Sequence, residues 1–312
     1  MGEPVALIAL ALDAAVGWPD WLYRWIGHPV GGFARIIAAC EARWNRAEYS
    51  DIRRRLGGIA TLALLLAAGG GGGWLIASEL HRFWPLIALA AFPALAQRSL
   101  YDHVLPVARA LEDADLPAAR AAVSRIVGRD VAGLGEAAIA RAAIESLAES
   151  FCDGVTAPLF WLLALGLPGV WAYKAVNTAD SLIGHPEPPL RAFGWAAARS
   201  DDLANLVPAR LAGAVLCLAG GGGWRVMWCD CRRHASPNAG WPEAAMAGAL
   251  GIRLAGPVWY DGVPHDKPWI GEGGQADAMT IRRALKIYRR ACAILWAMAF
   301  LWAGALEVVW RG

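Results

Sequence analysis

Charge is what this sequence has least of. Asp, Glu, Lys and Arg together supply only 18% of its 312 residues, the formal net charge is +2, and the mean hydropathy is +0.37. A nearly neutral chain, with no basic run interleaved with stacking aromatics, excludes a nucleic-acid-binding reading. The cysteines (Cys40, Cys152, Cys217, Cys229, Cys231 and Cys292) include no CxxC pair, since Asp230 alone separates Cys229 from Cys231. That excludes the usual zinc and dithiol-redox spacings and leaves free buried thiols. A basic segment ahead of the first apolar stretch is missing too. Glu3 stands there instead, so "MGEPVALIALALDAAVGWP" reads as a retained helix, not a cleaved signal. Two glycine runs, "AAGGGGGW" and "LAGGGGW", lack the Lys and Ser or Thr that follow the last glycine of a nucleotide-binding loop; Trp74 and Trp224 follow instead. Both runs read as flexible helix ends with Trp anchors.

What is abundant is apolar surface. Hydrophobic residues reach 57%, and the 17 Trp outnumber the 6 Tyr and 7 Phe together, as suits aromatic belts at lipid interfaces. The expectation is an all-α polytopic membrane protein forming one domain over 1–312. A spanning helix needs about 20 apolar residues, and about four are expected, at 5–18, 56–77, 83–97 and 291–310. Asp13 in the first must face protein or water, because an acid facing lipid is costly. Residues 155–176 are broken by Gly166, Pro168 and Gly169, and 203–224 carry Pro208 and Arg210, so both read as broken or re-entrant segments. Arg24, Arg35, Arg43, Arg46, Arg53, Arg54 and Arg55 place their segment in the cytoplasm by the positive-inside rule. A hairpin of 56–77 and 83–97 returns 98–154 to that side, where "ALEDADLPAARAAVSRIVGRD" reads as a helical pair around a Pro-containing turn.

Four stretches concentrate polar chemistry. In "RAAIESLAESFCDG", Arg141, Glu145 and Glu149 recur every four residues on one helical face, with Asp153 near the end. Like charges at this spacing repel by roughly 0.2–0.5 kcal/mol and ask for a cation. Either Arg141 satisfies Glu145, or the carboxylates hold Mg²⁺, which takes oxygen ligands and bridges to phosphates. "YKAVNTADSLIGH" gathers Lys174, Asn177, Thr178, Asp180, Ser181 and His185 after the broken segment. Lys174 either snorkels from a helix end or neutralises a phosphate, beside hydrogen-bonding groups and an acid suited to a metal. "ARSDDLANLVPAR" pairs Asp201 and Asp202 with Asn205, Arg199 and Arg210, a weaker signal that ordinary helix-dipole charges also explain. Finally, "HASPNAGWPEAAMAGALGIRL" reads as a turn followed by a packing helix of small residues, Ala244 to Leu250. Its turn, with Ser236, Asn238, Gly240, Trp241 and Glu243, puts polar groups before helix N–H donors, an arrangement suited to an anion.

These stretches, with "HPV" at 28–30, "RRRLGG" at 53–58, "IVGRD" at 126–130 and "DGVTAPLFW" at 153–161, resemble the CobD/CbiB family of cobalamin biosynthesis over nearly the whole chain. The chain departs from the family pattern at Trp18 (GWP for GDP), at Ser150 (for Asn) and at Leu182 (for Met). The resemblance implies a multi-pass enzyme of the bacterial inner membrane, an adenosylcobinamide-phosphate synthase. Such an enzyme joins (R)-1-aminopropan-2-ol or its O-phosphate to a propionate carboxyl of adenosylcobyric acid, using ATP and Mg²⁺, and an acyl phosphate is the natural intermediate. Other corrinoid-pathway enzymes are implied partners. On that reading Glu149, Lys174 and Asp180 are catalytic, and Glu145, Glu149, Asp153 and Asp180 are the Mg²⁺ ligands. Lys174 and Arg129 face phosphate oxygens; Asn177, Thr178, Ser181, His185 and the Ser236–Glu243 turn bind substrate. The alternatives are a non-catalytic sensor or accessory protein like the AmpE-type relatives, and a corrinoid transporter, for which the spans are few.

Overall fold

Helix starts are marked by side chains that satisfy the first free backbone N–H groups. In a computed structural model, which describes residues 4–260 and 263–311, Ser50 Oγ accepts from the Arg53 N–H at 3.4 Å to begin Asp51–Leu66. Asp115 accepts from Ala118 N–H at 2.9 Å to begin Leu116–Val123, and Asp277 accepts from Thr280 N–H at 2.7 Å ahead of Ala278–Arg311. Gly251, at φ 70°, ends Gly240–Leu250 in the left-handed conformation that only glycine adopts without strain. Helix is the dominant structure, and the protein is an all-α membrane protein. The only strands among the described residues are four short ones at 254–270. Leu254–Ala255 pairs antiparallel with Trp269–Ile270, and Val258–Tyr260 with Val263–His265.

The chain divides into two compact units: 1–96 with 157–205 and 299–312, and 97–156 with 206–298. In the first, Asp51–Glu79 is a continuous 29-residue apolar helix containing the span expected at 56–77. The first glycine run is not a helix end, as expected above, but the middle of this helix, where Ala67–Gly71 widens into a π-turn. A Cβ on Gly69 would come within 2.5 Å of the Trp171 carbonyl oxygen, and one on Gly73 within 2.7 Å of that of Leu167. At Gly69 and Gly73 only glycine fits, because another helix's backbone lies against them. That neighbour, Ala157–Ile183, changes direction at Gly166 (φ 68°, ψ −153°), inside the segment whose breakers predict a break. The second glycine run does end a helix: Leu206–Gly220 stops there, and Gly221 and Gly223 take positive φ.

By length and composition two described helices can cross a membrane, Asp51–Glu79 and the 48-residue Glu136–Ile183. A third is available if Trp195–Ala204 and Leu206–Gly220, bent at Asn205, count as one span. The sequence reading gave about four. Val5–Ala15 has 11 residues, about 16 Å of helix, well short of the ~30 Å apolar core, although Asp13 is buried as expected. The 83–97 stretch splits at Pro93 into Trp84–Ala91 and a 3₁₀ turn, Phe92–Ala94. The end of the 291–310 candidate lies beyond the described side chains.

In the second unit, Gln97–Glu112 and Leu116–Val123 form the expected helical pair, and the core includes Phe151 edge-on to Tyr288 at 5.7 Å. Gly240–Leu250 is the small-residue packing helix, with Ala244, Ala245 and Ala247 fully buried.

Candidate functional site

Glu145, on Glu136–Phe151, is the hub of a buried charged cluster in the second unit. Arg129, from the loop before that helix, donates to its Oε2, and Arg141 Nε lies 3.6 Å from its Oε1. Oε1 also accepts the backbone N–H of Ala255 at 2.7 Å. Ala255 holds φ 58°, a conformation costing a non-glycine residue about 1–2 kcal/mol, so the carboxylate helps to fix a strained turn. Arg141 and Arg253 both lie over the Trp269 ring, at 4.8 and 4.9 Å. The sequence reading that pairs Arg141 with Glu145 is met, and a second arginine joins them.

Beside this hub is a cavity of about 160 Å³, lined by Arg129, Glu145, Glu149, His234, Glu243 and Lys267 among others. Glu243 is 4% exposed. Burial, then the charges of Glu145 and Glu149, push its carboxyl well above the usual carboxylate range, against the pull of Lys267 and Arg129. His234 Nε2 stands 3.7 Å from Glu243 Oε1, while its Nδ1 accepts the Ser236 N–H at 3.0 Å. Burial and the charge of Lys267 lower the His234 pKa, which favours neutral imidazole with its proton on Nε2, towards Glu243. Glu149 therefore shares one cavity with two cations and a carboxyl inclined to hold a proton. Asp153 follows on the π-turn Cys152–Thr156 and does not line the cavity.

The turn before Gly240 uses its polar groups on itself. Ser236 Oγ accepts from both Asn238 N–H and Ala239 N–H at 3.2 Å, and Trp241 N–H donates to the Asn238 carbonyl at 3.1 Å. Asn238 is buried, with its Oδ1 accepting from Arg210 at 2.8 Å, and Arg210 lies over the Trp241 ring at 4.8 Å. A Cβ on Gly240 would come within 2.0 Å of the Cys231 carbonyl oxygen. From this turn and the residues flanking it, His234 and Glu243 face the cavity.

The first unit has its own polar network. Lys174 donates to Asn177 Oδ1 at 3.3 Å, Asn177 Nδ2 to Asp201 at 3.4 Å, Asn205 Nδ2 to Asp201 at 2.9 Å, and Tyr173 OH to Asn205 Oδ1 at 3.0 Å. His28 belongs with them: burial, and then the Lys174 charge, lower its pKa to about 4, so it is neutral at ordinary pH. Thr178 and Ser181 donate to carbonyls of their own helix, at 2.6 and 2.9 Å. Asp180 Oδ1 lies over Gly184, where a Cβ would come within 2.0 Å, and His185 is exposed.

The sequence-predicted residues thus fall into two sets. Arg129, Glu145, Glu149 and Glu243 meet in the second unit's cavity; Lys174 and Asn177 meet Asp201 in the first unit. Lys267 and His234 went unread because each stands singly in an aperiodic segment. His28 was visible only as part of "HPV". Among the described residues no three of His, Cys, Asp and Glu converge as a ready-made metal cage.

A family model described as "CobD/Cbib protein" matches residues 6–288. A protein of Rhodobacter capsulatus named "Cobalamin biosynthesis protein CobD" is 46% identical over 308 residues, covering 95% of this chain and 97% of that protein. Proteins with the same name from Rhizobium meliloti (43% over 320 residues, 96% of each chain) and Geobacter metallireducens (44% over 280 residues, 86% of each chain) are similarly close. No solved structure matches. A family match across most of the chain, with relatives nearly coextensive with it, makes this protein a member of the CobD/CbiB family of cobalamin biosynthesis.

Proposed function

We propose that this protein is an ATP-dependent amide-forming ligase, an adenosylcobinamide-phosphate synthase. It joins a propionate carboxyl of adenosylcobyric acid to (R)-1-aminopropan-2-ol or its O-phosphate. The supporting observation is the second unit's cavity, which combines phosphate-binding cations with a carboxyl able to take up a proton. In the first step a propionate oxygen attacks the γ-phosphorus of ATP and ADP leaves, giving an acyl phosphate. In the second the amine attacks the acyl carbon, inorganic phosphate leaves, and the nitrogen loses its proton.

Arg129, oriented by Glu145, and Lys267 supply donors for phosphate oxygens in both steps. The amine arrives as an ammonium and must be deprotonated before it can attack. In its ionised form Glu243, whose raised pKa makes it a stronger base than an exposed carboxylate, accepts that proton, with His234 beside its carboxyl. Mg²⁺ is bound by one or two carboxylates together with substrate phosphates more often than by a protein cage. Glu149, facing the cavity beside Arg129 and Lys267, fits that donor count. Bound there, the ion would neutralise phosphate charge. Lys174 and Asn177 in the first unit form a separate cation and amide pair suited to an anion. ATP supply and the Arg24–Arg55 charge excess both favour the inner membrane with the chemistry on its cytoplasmic side.

The test is ATP consumption by the purified protein in detergent with adenosylcobyric acid and aminoalcohol, supplied free and as the phosphate. ADP should form only when corrinoid and amine are both present, and ¹⁸O from a labelled propionate should appear in inorganic phosphate. Label in AMP would refute the acyl phosphate. No ATP use under any condition would refute the ligase and leave the accessory-protein reading.

A further inference from the structure

The longest basic stretch without an intervening acid belongs to neither polar cluster. Between Ala278 and Met298 the last helix carries Arg282, Arg283, Lys286, Arg289 and Arg290 and not one acid. Arg282, Leu285, Lys286, Arg289, Arg290 and Ala293 recur at helical spacing on one face and, with Tyr101 of Gln97–Glu112, line a groove of about 520 Å³. Its walls are fixed at both ends. Tyr288 OH donates to the Gln97 carbonyl at 2.7 Å and Trp296 Nε1 to Gln97 Oε1 at 2.8 Å, while Arg282 grips Glu112 through two bonds of 2.7 Å. Arg290 reaches the Ala219 carbonyl at 3.5 Å. Lys286 and Arg289 are exposed, and no hydrogen bond or ion pair joins either to any described residue.

The same helix changes character directly beyond the groove. From Ala291 to Met298 it has no charge, and Met298 is 39% exposed. A helix rises about 1.5 Å per residue, so this side chain lies about 12 Å beyond Arg290, the distance from a headgroup layer into acyl chains. We propose that this groove is a binding site for the headgroup of an anionic phospholipid. Lys286 and Arg289 hold the phosphate, and the Tyr101 ring, Leu285 and Ala293 give the groove an apolar side for the start of the acyl chains. A free phosphate would satisfy the cations but not that apolar side.

The test uses the full-length protein in a neutral detergent, with lipid retention read by native mass spectrometry. Wild type should retain dioleoylphosphatidylglycerol in preference to dioleoylphosphatidylcholine, and millimolar inorganic phosphate should not displace it. The double variant K286A/R289A should retain the anionic lipid about thirty-fold less, from the ordinary contribution of two basic residues near an anionic surface. The charge-keeping K286R/R289K should behave as wild type, which separates lost charge from lost fold. Equal retention of the two lipids, unchanged retention by K286A/R289A, or displacement by inorganic phosphate would each overturn the proposal.

Discussion

Replacing Glu145 with alanine puts the second unit's site to its most direct test. The carboxylate is buried against Arg129 and Arg141, whose side chains are only 11% and 15% exposed, and it accepts the backbone N–H of strained Ala255. Removing one partner from a buried ion pair costs about 3–5 kcal/mol, because the remaining charge is left uncompensated. An orphaned N–H adds about 1–3 kcal/mol, and since the two losses overlap, a total of about 5 kcal/mol is expected. At about 2–4 °C per kcal/mol for a chain of this order of size, E145A should melt about 10–20 °C below wild type. Glu145→Gln keeps an acceptor for Ala255 and should fall between the two. The triple variant R129M/R141M/E145M, which removes the charges together, should recover much of the loss. Thermal unfolding in detergent, followed by tryptophan fluorescence, reads all four proteins. An E145A midpoint within about 2 °C of wild type would show that no such buried hub exists.

Lys267→Met should lower kcat/KM for ATP by about a hundredfold, as loss of one charged donor to a transferring phosphoryl group does; Lys267→Arg should restore part of it, and an unchanged ATP dependence would remove Lys267 from the site. Between the usual 4.5 and its raised pKa, Glu243 holds a proton in the folded chain that the unfolded chain has released. Its stabilising contribution is full below that usual value and is lost as pH rises through the raised one. Stability should therefore fall over that window in wild type and be flatter in E243Q, and equal slopes in urea titrations across pH would contradict the burial argument. His28 should titrate near pH 4, and Lys174→Met should move it upward but, since burial is the larger cause, not fully to 6.5. Histidine NMR across pH reads this, and an unmoved midpoint would separate the two side chains.

Periodicity made the helices legible, and with them the parts of the site that lie on a single helix. Arg141 and Glu145 could be paired from a four-residue spacing. Arg129 and the Ala255 N–H could not, because they come from 16 residues before Glu145 and 110 after it. The Gly166 break was readable because glycine and proline act locally. The glycine run at 69–73 sits mid-helix, and the need for Gly69 and Gly73 comes from another helix's backbone, which leaves no trace in the local pattern. In the Ser236–Glu243 turn the residue types were read correctly, but whether their donors face a ligand or one another depends on Arg210 and Cys231, which the local sequence does not place. Lys267 and His28 are single residues whose significance comes only from what folding puts beside them.

The glycines of Asp51–Glu79 also bear on how this protein can vary. Inside a bilayer, moving an apolar side chain from lipid to protein gains little, so partner and register are chosen by shape. Gly69 and Gly73 form a notch one turn long that admits the backbone at Leu167 and Trp171. Sliding either helix by one turn would set Leu65 or Ala77 against that backbone. The notch works as a depth gauge, holding the bend at Gly166 at a fixed height. Exchanging one lipid-facing leucine for another should then matter less than gaining or losing a single residue between the notch and the helix end.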